Sequence, residues 1–83
     1  MPAITVYSRV DCHLCDVALG ELERLRIAHG FDLHVIDLDR DAPPEKRAAY
    51  DCEVPVIELD GRKIMKYQVD EARLVRLLSL AAQ

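Results

Sequence analysis

Cys12-His13-Leu14-Cys15 places two thiols three positions apart, just after a β-branched segment and at the head of a helical pattern. The thiolate, not the thiol, attacks disulfides, so the surroundings of each sulfur decide its chemistry. A helix N-terminus offers unpaired N–H groups and a partial positive charge, both of which favour a thiolate. Cys12, at the helix start, is expected to be the accessible member. Cys15 lies one turn further in, close enough to form a disulfide and less exposed. This division assigns attack to Cys12 and resolution of the mixed disulfide to Cys15. His13 and Arg9 would support the thiolate, whereas Asp11 and Asp16 would oppose it. The bland alternative, two buried cysteines on an apolar helix face, accounts less well for C-x-x-C at a strand-to-helix junction.

Thirteen residues separate Cys15 from His29, and four more separate His29 from His34, a spacing shared with C-x2-C…H-x3–5-H zinc sites. The elements argue against it: the helix follows the cysteines directly, Gly30 ends it, and His34 falls in a strand. No metal is therefore expected. Val54-Pro55 is the second informative pair, because Pro55 lacks an N–H and immediately precedes the apolar strand Val56-Ile57-Glu58-Leu59. Cys52, three residues earlier, reads as a small, partly buried residue, with a third exchanging thiol as the weaker alternative. Tyr7 and Tyr67 read as core or strand-surface residues. Glu45-Lys46-Arg47 reads as a solvated helix face.

The elements that must position these residues alternate. Ile4-Thr5-Val6-Tyr7 is a short strand. Leu14, Ala18, Leu22 and Leu25 form a helical stripe that Gly30 ends. A second strand spans 31–38. Asp41 is a candidate cap for a short helix entered through Pro43-Pro44 and running towards Tyr50. Val56–Leu59 and a strand over 63–67 flank Asp60-Gly61, a hairpin signal. A last helix over 70–82 carries Leu74, Leu77, Leu78 and Ala81 on one side. The order is β-α-β-α-β-β-α, predicting an α/β fold: a parallel pair joined by a helical crossover, extended by an antiparallel hairpin into a four-stranded mixed sheet flanked by helices.

With 83 residues there is room for one domain, spanning 1–83. The longest apolar runs are three residues, far short of the roughly 20 that cross a bilayer as a helix. Eleven Lys and Arg stand against fifteen Asp and Glu, a net charge of −4 that disfavours a phosphate-backbone footprint. Neither nucleic acid nor membrane is an expected partner. Three cysteines, and no export signal after Met1-Pro2-Ala3, point to a cytoplasmic protein whose thiols stay reduced unless they are catalytic.

Tyr7-Ser8-Arg9, Cys12-His13-Leu14-Cys15, Val54-Pro55-Val56-Ile57 and the Asp60-Gly61 hairpin together resemble a glutaredoxin of the thioredoxin superfamily. More narrowly, the chain is similar to the short glutaredoxin-like proteins that carry Cys-His-Leu-Cys in place of Cys-Pro-Tyr-Cys. The likeness covers nearly the whole chain in element order, with Cys15 and Val54 standing 39 positions apart. It implies a thioredoxin fold, Pro55 cis and packed beside the cysteines, and main-chain hydrogen bonds from Val54 to a thiol-bearing peptide. Arg9 lies near the place of a basic residue that helps bind glutathione, and Asp70 near that of the family's acidic residue. Tyr67-Gln68-Val69-Asp70 replaces the Gly-Gly pair of glutathione-binding members.

The expected activity is thiol–disulfide oxidoreduction by a monomer with no tightly bound cofactor. It would act on a disulfide-containing protein or on a glutathione mixed disulfide, with glutathione as co-substrate. Two alternatives stand beside it: an iron–sulfur carrier sharing a cluster between two chains, and a non-catalytic interaction module.

Overall fold

Ile4, Thr5 and Val6 are β-branched and alternate with the pleat, so β1 (Ala3–Ser8) sends Ile4 and Val6 to one face and Tyr7 to the other. The computed structural model describes residues 2–81. It continues with α1 (His13–His29), β2 (Asp32–Asp37), α2 (Pro44–Tyr50), β3 (Val56–Leu59), β4 (Arg62–Lys66) and α3 (Glu71–Ala81). The element order and the four-stranded mixed sheet are those expected from the sequence. The strands lie in the order β2-β1-β3-β4. β1 is central, parallel to β2 and antiparallel to β3, and β3 pairs antiparallel with β4.

Two cores follow from the alternation. Ile4, Val6, Ile57 and Leu59 meet Leu22 and Leu25 of α1 and Leu74 and Leu78 of α3 on one face of the sheet. Tyr7 and Val56 meet Leu38, Ala42 and Tyr50 on the other, beneath α2. Both faces of β3 are therefore covered, and all four of its residues are buried.

Several boundaries differ from expectation, each for a local reason. Leu14 is half exposed, and the buried row of α1 is Cys15, Ala18, Leu22 and Leu25, a 3-4-3 spacing that tracks the helical period. Asp41 does not cap α2. An N-cap there would need to accept from residues 43 or 44, and both are prolines without an N–H. Pro43 is the cap residue instead, its carbonyl accepting from the N–H groups of Lys46 and Arg47. β4 starts at Arg62 because Asp60 and Gly61 both adopt positive φ (49° and 86°), giving a two-residue turn that leaves Arg62 opposite Leu59. It ends at Lys66, since Tyr67 at φ 70° turns out of the sheet. Asp70 precedes α3 as its cap: its carboxylate accepts the Arg73 N–H at 3.1 Å and its carbonyl the Leu74 N–H at 2.9 Å. Ala81 is exposed, and Ala82 lies outside the described residues.

Glu58 is the one charged side chain buried in the sheet. It is held from α2, where the Tyr50 hydroxyl donates at 2.7 Å and the Lys46 ammonium at 2.5 Å. Tyr7 packs edge-on against Tyr50, with ring centroids 5.3 Å apart. Lys46 thus turns inward rather than sitting on a solvated face. Its partner carboxylate, above all, pushes the Lys46 ammonium up to about 12.

Lys46→Met would leave the Glu58 charge buried without its counter-ion. Loss of one partner of a fully buried pair costs about 3–5 kcal/mol, and the half-open position of Lys46 reduces this to about 2 kcal/mol. Urea unfolding at neutral pH measures it. A raised pKa means the folded state holds its proton more tightly, so this stabilisation is complete below 10.5 and declines as pH rises towards about 12. Unfolding midpoints followed through that range should fall more steeply for the native chain than for Lys46→Met.

Candidate redox site

Three connections leave the same end of the sheet. Tyr7 pairs with Val56 and Val56 with Lys66, so the loop after β1, the loop before β3 and the chain after β4 emerge side by side. They carry Cys12, Val54-Pro55 and Tyr67 respectively.

The loop after β1 turns through Asp11 at φ 59° and enters α1 at Cys12, its N-cap, in extended conformation. The Cys12 sulfur accepts the Cys15 N–H at 3.2 Å, and the Cys12 carbonyl accepts the Asp16 N–H at 3.1 Å. A sulfur therefore occupies the place usually taken by a capping oxygen. Cys12 is partly exposed, while Cys15 is buried in the interior row of the helix. Their Cα atoms are 5.2 Å apart and the sulfurs are joined as a disulfide. The geometry supplies one sulfur that a partner can reach and one that it cannot. His13, the first helical residue, is exposed beside them.

The Val54–Pro55 peptide is cis, with Pro55 fully buried and Val54 half buried against the α2-side core. The loop carrying them is pinned from three sides. The Arg9 guanidinium donates to the Asp51 carbonyl at 2.8 Å and to its carboxylate at 2.9 Å. Glu53 is paired with Lys63 and, at 3.3 Å, with Lys66. Tyr67 donates its N–H to the Pro55 carbonyl at 2.8 Å and its hydroxyl to the Cys52 carbonyl at 3.2 Å.

Arg9, expected to contact a substrate, also binds both oxygens of Asp39, at 2.8 and 3.0 Å. Its charge is taken up by two carboxylates that brace the loops flanking α2. Asp70 caps α3 at the same end of the molecule. Cys52 is exposed, not partly buried, with its sulfur 3.8 Å from the Asp51 carboxylate. It falls in the turn after α2, where no element covers it. His29 ends α1 and His34 lies within β2. Among the described residues no three His, Cys, Asp or Glu side chains converge to hold a metal ion, and no helix is long and apolar enough to cross a membrane.

Tyr67 was not evident from sequence as a site residue. The available signal was its position directly after the hairpin strand, in the segment where the resemblance expects glycine. Leu14, expected in the buried stripe of α1, and Val17 both lie outside the row that is buried.

The family model described as glutaredoxin-like domain (DUF836) matches residues 3–79. An uncharacterized protein of Mycobacterium tuberculosis (strain ATCC 25618 / H37Rv) is 36% identical over 76 residues, covering 88% of this chain and 78% of that protein. The solution NMR structure of protein Ne2328 from Nitrosomonas europaea superposes with a TM-score of 0.80 at 26% identity, over 92% of this chain and 89% of that one. Thioredoxin O2 from Arabidopsis thaliana, in its oxidized state, superposes with a TM-score of 0.67 over 100% of this chain and 76% of that one. At 16% identity this last likeness shows the thioredoxin fold alone.

Asp39 provides a test of the brace. The Arg9 guanidinium, chiefly by hydrogen bonding, holds the Asp39 carboxyl below its ordinary value of 3.8. A lowered pKa stabilises the fold above that value and ceases to do so as pH falls through the folded-state pKa. Arg9→Gln should therefore unfold at lower denaturant than the native chain at pH 7, and the difference should close on acidification below 3.8.

Proposed function

The chain belongs to the glutaredoxin-like domain family, and from that premise we propose that it is a thiol–disulfide oxidoreductase working through the Cys12/Cys15 dithiol. One observation carries this: a partly exposed sulfur at the N-cap of α1, bonded to a buried sulfur one turn further in. In the reduced protein the Cys12 thiolate, supported by the Cys15 N–H and the helix terminus, attacks one sulfur of a substrate disulfide. The other substrate sulfur leaves as a thiolate and takes a proton from water. Cys15 then gives up its proton and attacks the Cys12 sulfur, closing the Cys12–Cys15 disulfide and releasing the second substrate thiol. Two electrons pass from the dithiol to the substrate, and a thiol reductant reopens the pair.

Val54, beside Pro55, offers main-chain hydrogen bonds to the substrate chain, as the family resemblance implies. His13 borders the attacking sulfur. The partners are a disulfide-bearing polypeptide or a glutathione mixed disulfide. No cofactor is tightly bound, and glutathione enters as a co-substrate. A reducing cytoplasm suits a dithiol that must be regenerated, and a monomer suffices because both sulfurs come from one chain.

Reduction of hydroxyethyl disulfide, with dithiothreitol as recycling reductant, tests the roles. Cys12→Ser should fall to the uncatalysed rate. With the reductant withheld, Cys15→Ser should accumulate a one-to-one mixed disulfide on Cys12, visible by mass. Unchanged turnover in Cys12→Ser would remove the assignment.

A further inference from the structure

Leu14 and Val17 are 50% and 45% exposed, an unusual pairing for large aliphatic residues one turn apart. They form one wall of a groove of about 170 Å³ whose other wall is Tyr67 and Val69. Tyr67 is itself 41% exposed despite its two hydrogen bonds to the loop before β3. Leu14 stands between the two cysteines in the chain, so the groove opens within one helical turn of Cys12. These exposed apolar side chains lie next to one another around a space that accommodates one aliphatic side chain.

Charge says what kind of chain fits. Glu21 lines the groove, while Asp11 and Asp16 flank the cysteine pair. Among the described residues none of these three is in an ion pair. The cations on the neighbouring segments are engaged: Arg9 with Asp39 and Asp51, Arg24 with Glu71, and Lys66 with Glu53. Glutathione presents two carboxylates to such a rim and one ammonium, whereas a basic polypeptide presents the complementary sign.

We propose that this groove selects polypeptide disulfides in which an apolar side chain flanks the reacting cysteine and a Lys or Arg lies just beyond it, over glutathione disulfides. This selectivity rests on the exchange chemistry proposed above and adds its substrate class. The apolar side chain seats between Leu14 and Tyr67 while Cys12 engages the substrate sulfur, and the basic residue meets Glu21 or Asp16. The electrons and protons are those of the exchange above.

Four probes test it: the symmetric disulfides of the blocked peptides Lys-Leu-Cys-Leu-Lys, Lys-Ser-Cys-Ser-Lys and Glu-Leu-Cys-Leu-Glu, together with oxidised glutathione. Each is reacted with excess fully reduced protein in a single turnover, alkylated and counted by mass, with rates divided by those of dithiothreitol, which has no groove. The Lys-Leu peptide should react roughly tenfold faster than the Lys-Ser peptide, the gain expected from partly burying a leucine side chain. It should exceed the Glu-Leu peptide by roughly threefold or more at low ionic strength, a gap that closes with added salt. Oxidised glutathione should be slowest. Leu14→Ser should erase the first preference and Glu21→Lys the second; both positions lie outside the buried core, and thermal unfolding verifies that each variant folds. Rates equal within about twofold across the peptides, or glutathione reacting fastest, would overturn the selectivity while leaving exchange chemistry standing. No reaction with any of the four would overturn the exchange reading itself, and the selectivity with it.

Discussion

The hydrogen bond from the Cys15 N–H to the Cys12 sulfur joins the fold to its chemistry. It fixes Cys12 as the residue at which the β1–α1 loop becomes a helix, and so fixes which sulfur faces outward and which faces the core. In the proposed exchange, the same N–H that lacks a partner inside the helix is the group that stabilises charge on sulfur. Both consequences need Cys12 to be the N-cap of α1, with the helix beginning at His13. The positive φ of Asp11 before it and the burial of Cys15 with Ala18, Leu22 and Leu25 after it secure that start.

The opposite side of the site is built differently. The loop before β3 has no regular structure of its own, and its shape comes from groups brought by other elements. Arg9 reaches it from the end of β1, Lys63 and Lys66 from β4, and Tyr67 from the turn after β4. Helix geometry sets one half of the site and surface electrostatics together with three main-chain acceptors, the carbonyls of Asp51, Cys52 and Pro55, set the other. Exposed ion pairs are individually weak, so this half depends on several acting together.

That contrast also explains what could be read in advance. The element order was legible because it rests on local signals: β-branched runs, a helical period ended by Gly30, and the Asp60-Gly61 turn. The C-x-x-C pair was legible for the same reason. Leu14 was misplaced because i, i+4 spacing fits two adjacent rows on α1, and only packing chooses the row that Cys15 begins. Asp41 failed as a cap once two prolines occupied the positions that would have donated to it. Cys52, Lys46 and Tyr67 were read from residue type alone, whereas their environments come from residues up to fifteen positions away. The partners of Arg9, thirty and forty-two positions away, carried no local trace at all.

The place of β1 in the sheet has a consequence for how the chain assembles. β1 is first in sequence yet central in space, bonded on one side to residues 32–37 and on the other to residues 56–59. The parallel β1-α1-β2 unit can close early, since its strands are joined by a single helix. The antiparallel half must wait until the chain has emerged through Leu59, and it pairs β1 with residues about fifty positions on, a non-local pairing of the kind that slows folding. During synthesis, then, the strand that leads directly to Cys12 spends an interval with one edge unpaired. In that interval the cysteine pair would stand on a half-built sheet, its helix already formed and the loop that faces it not yet made.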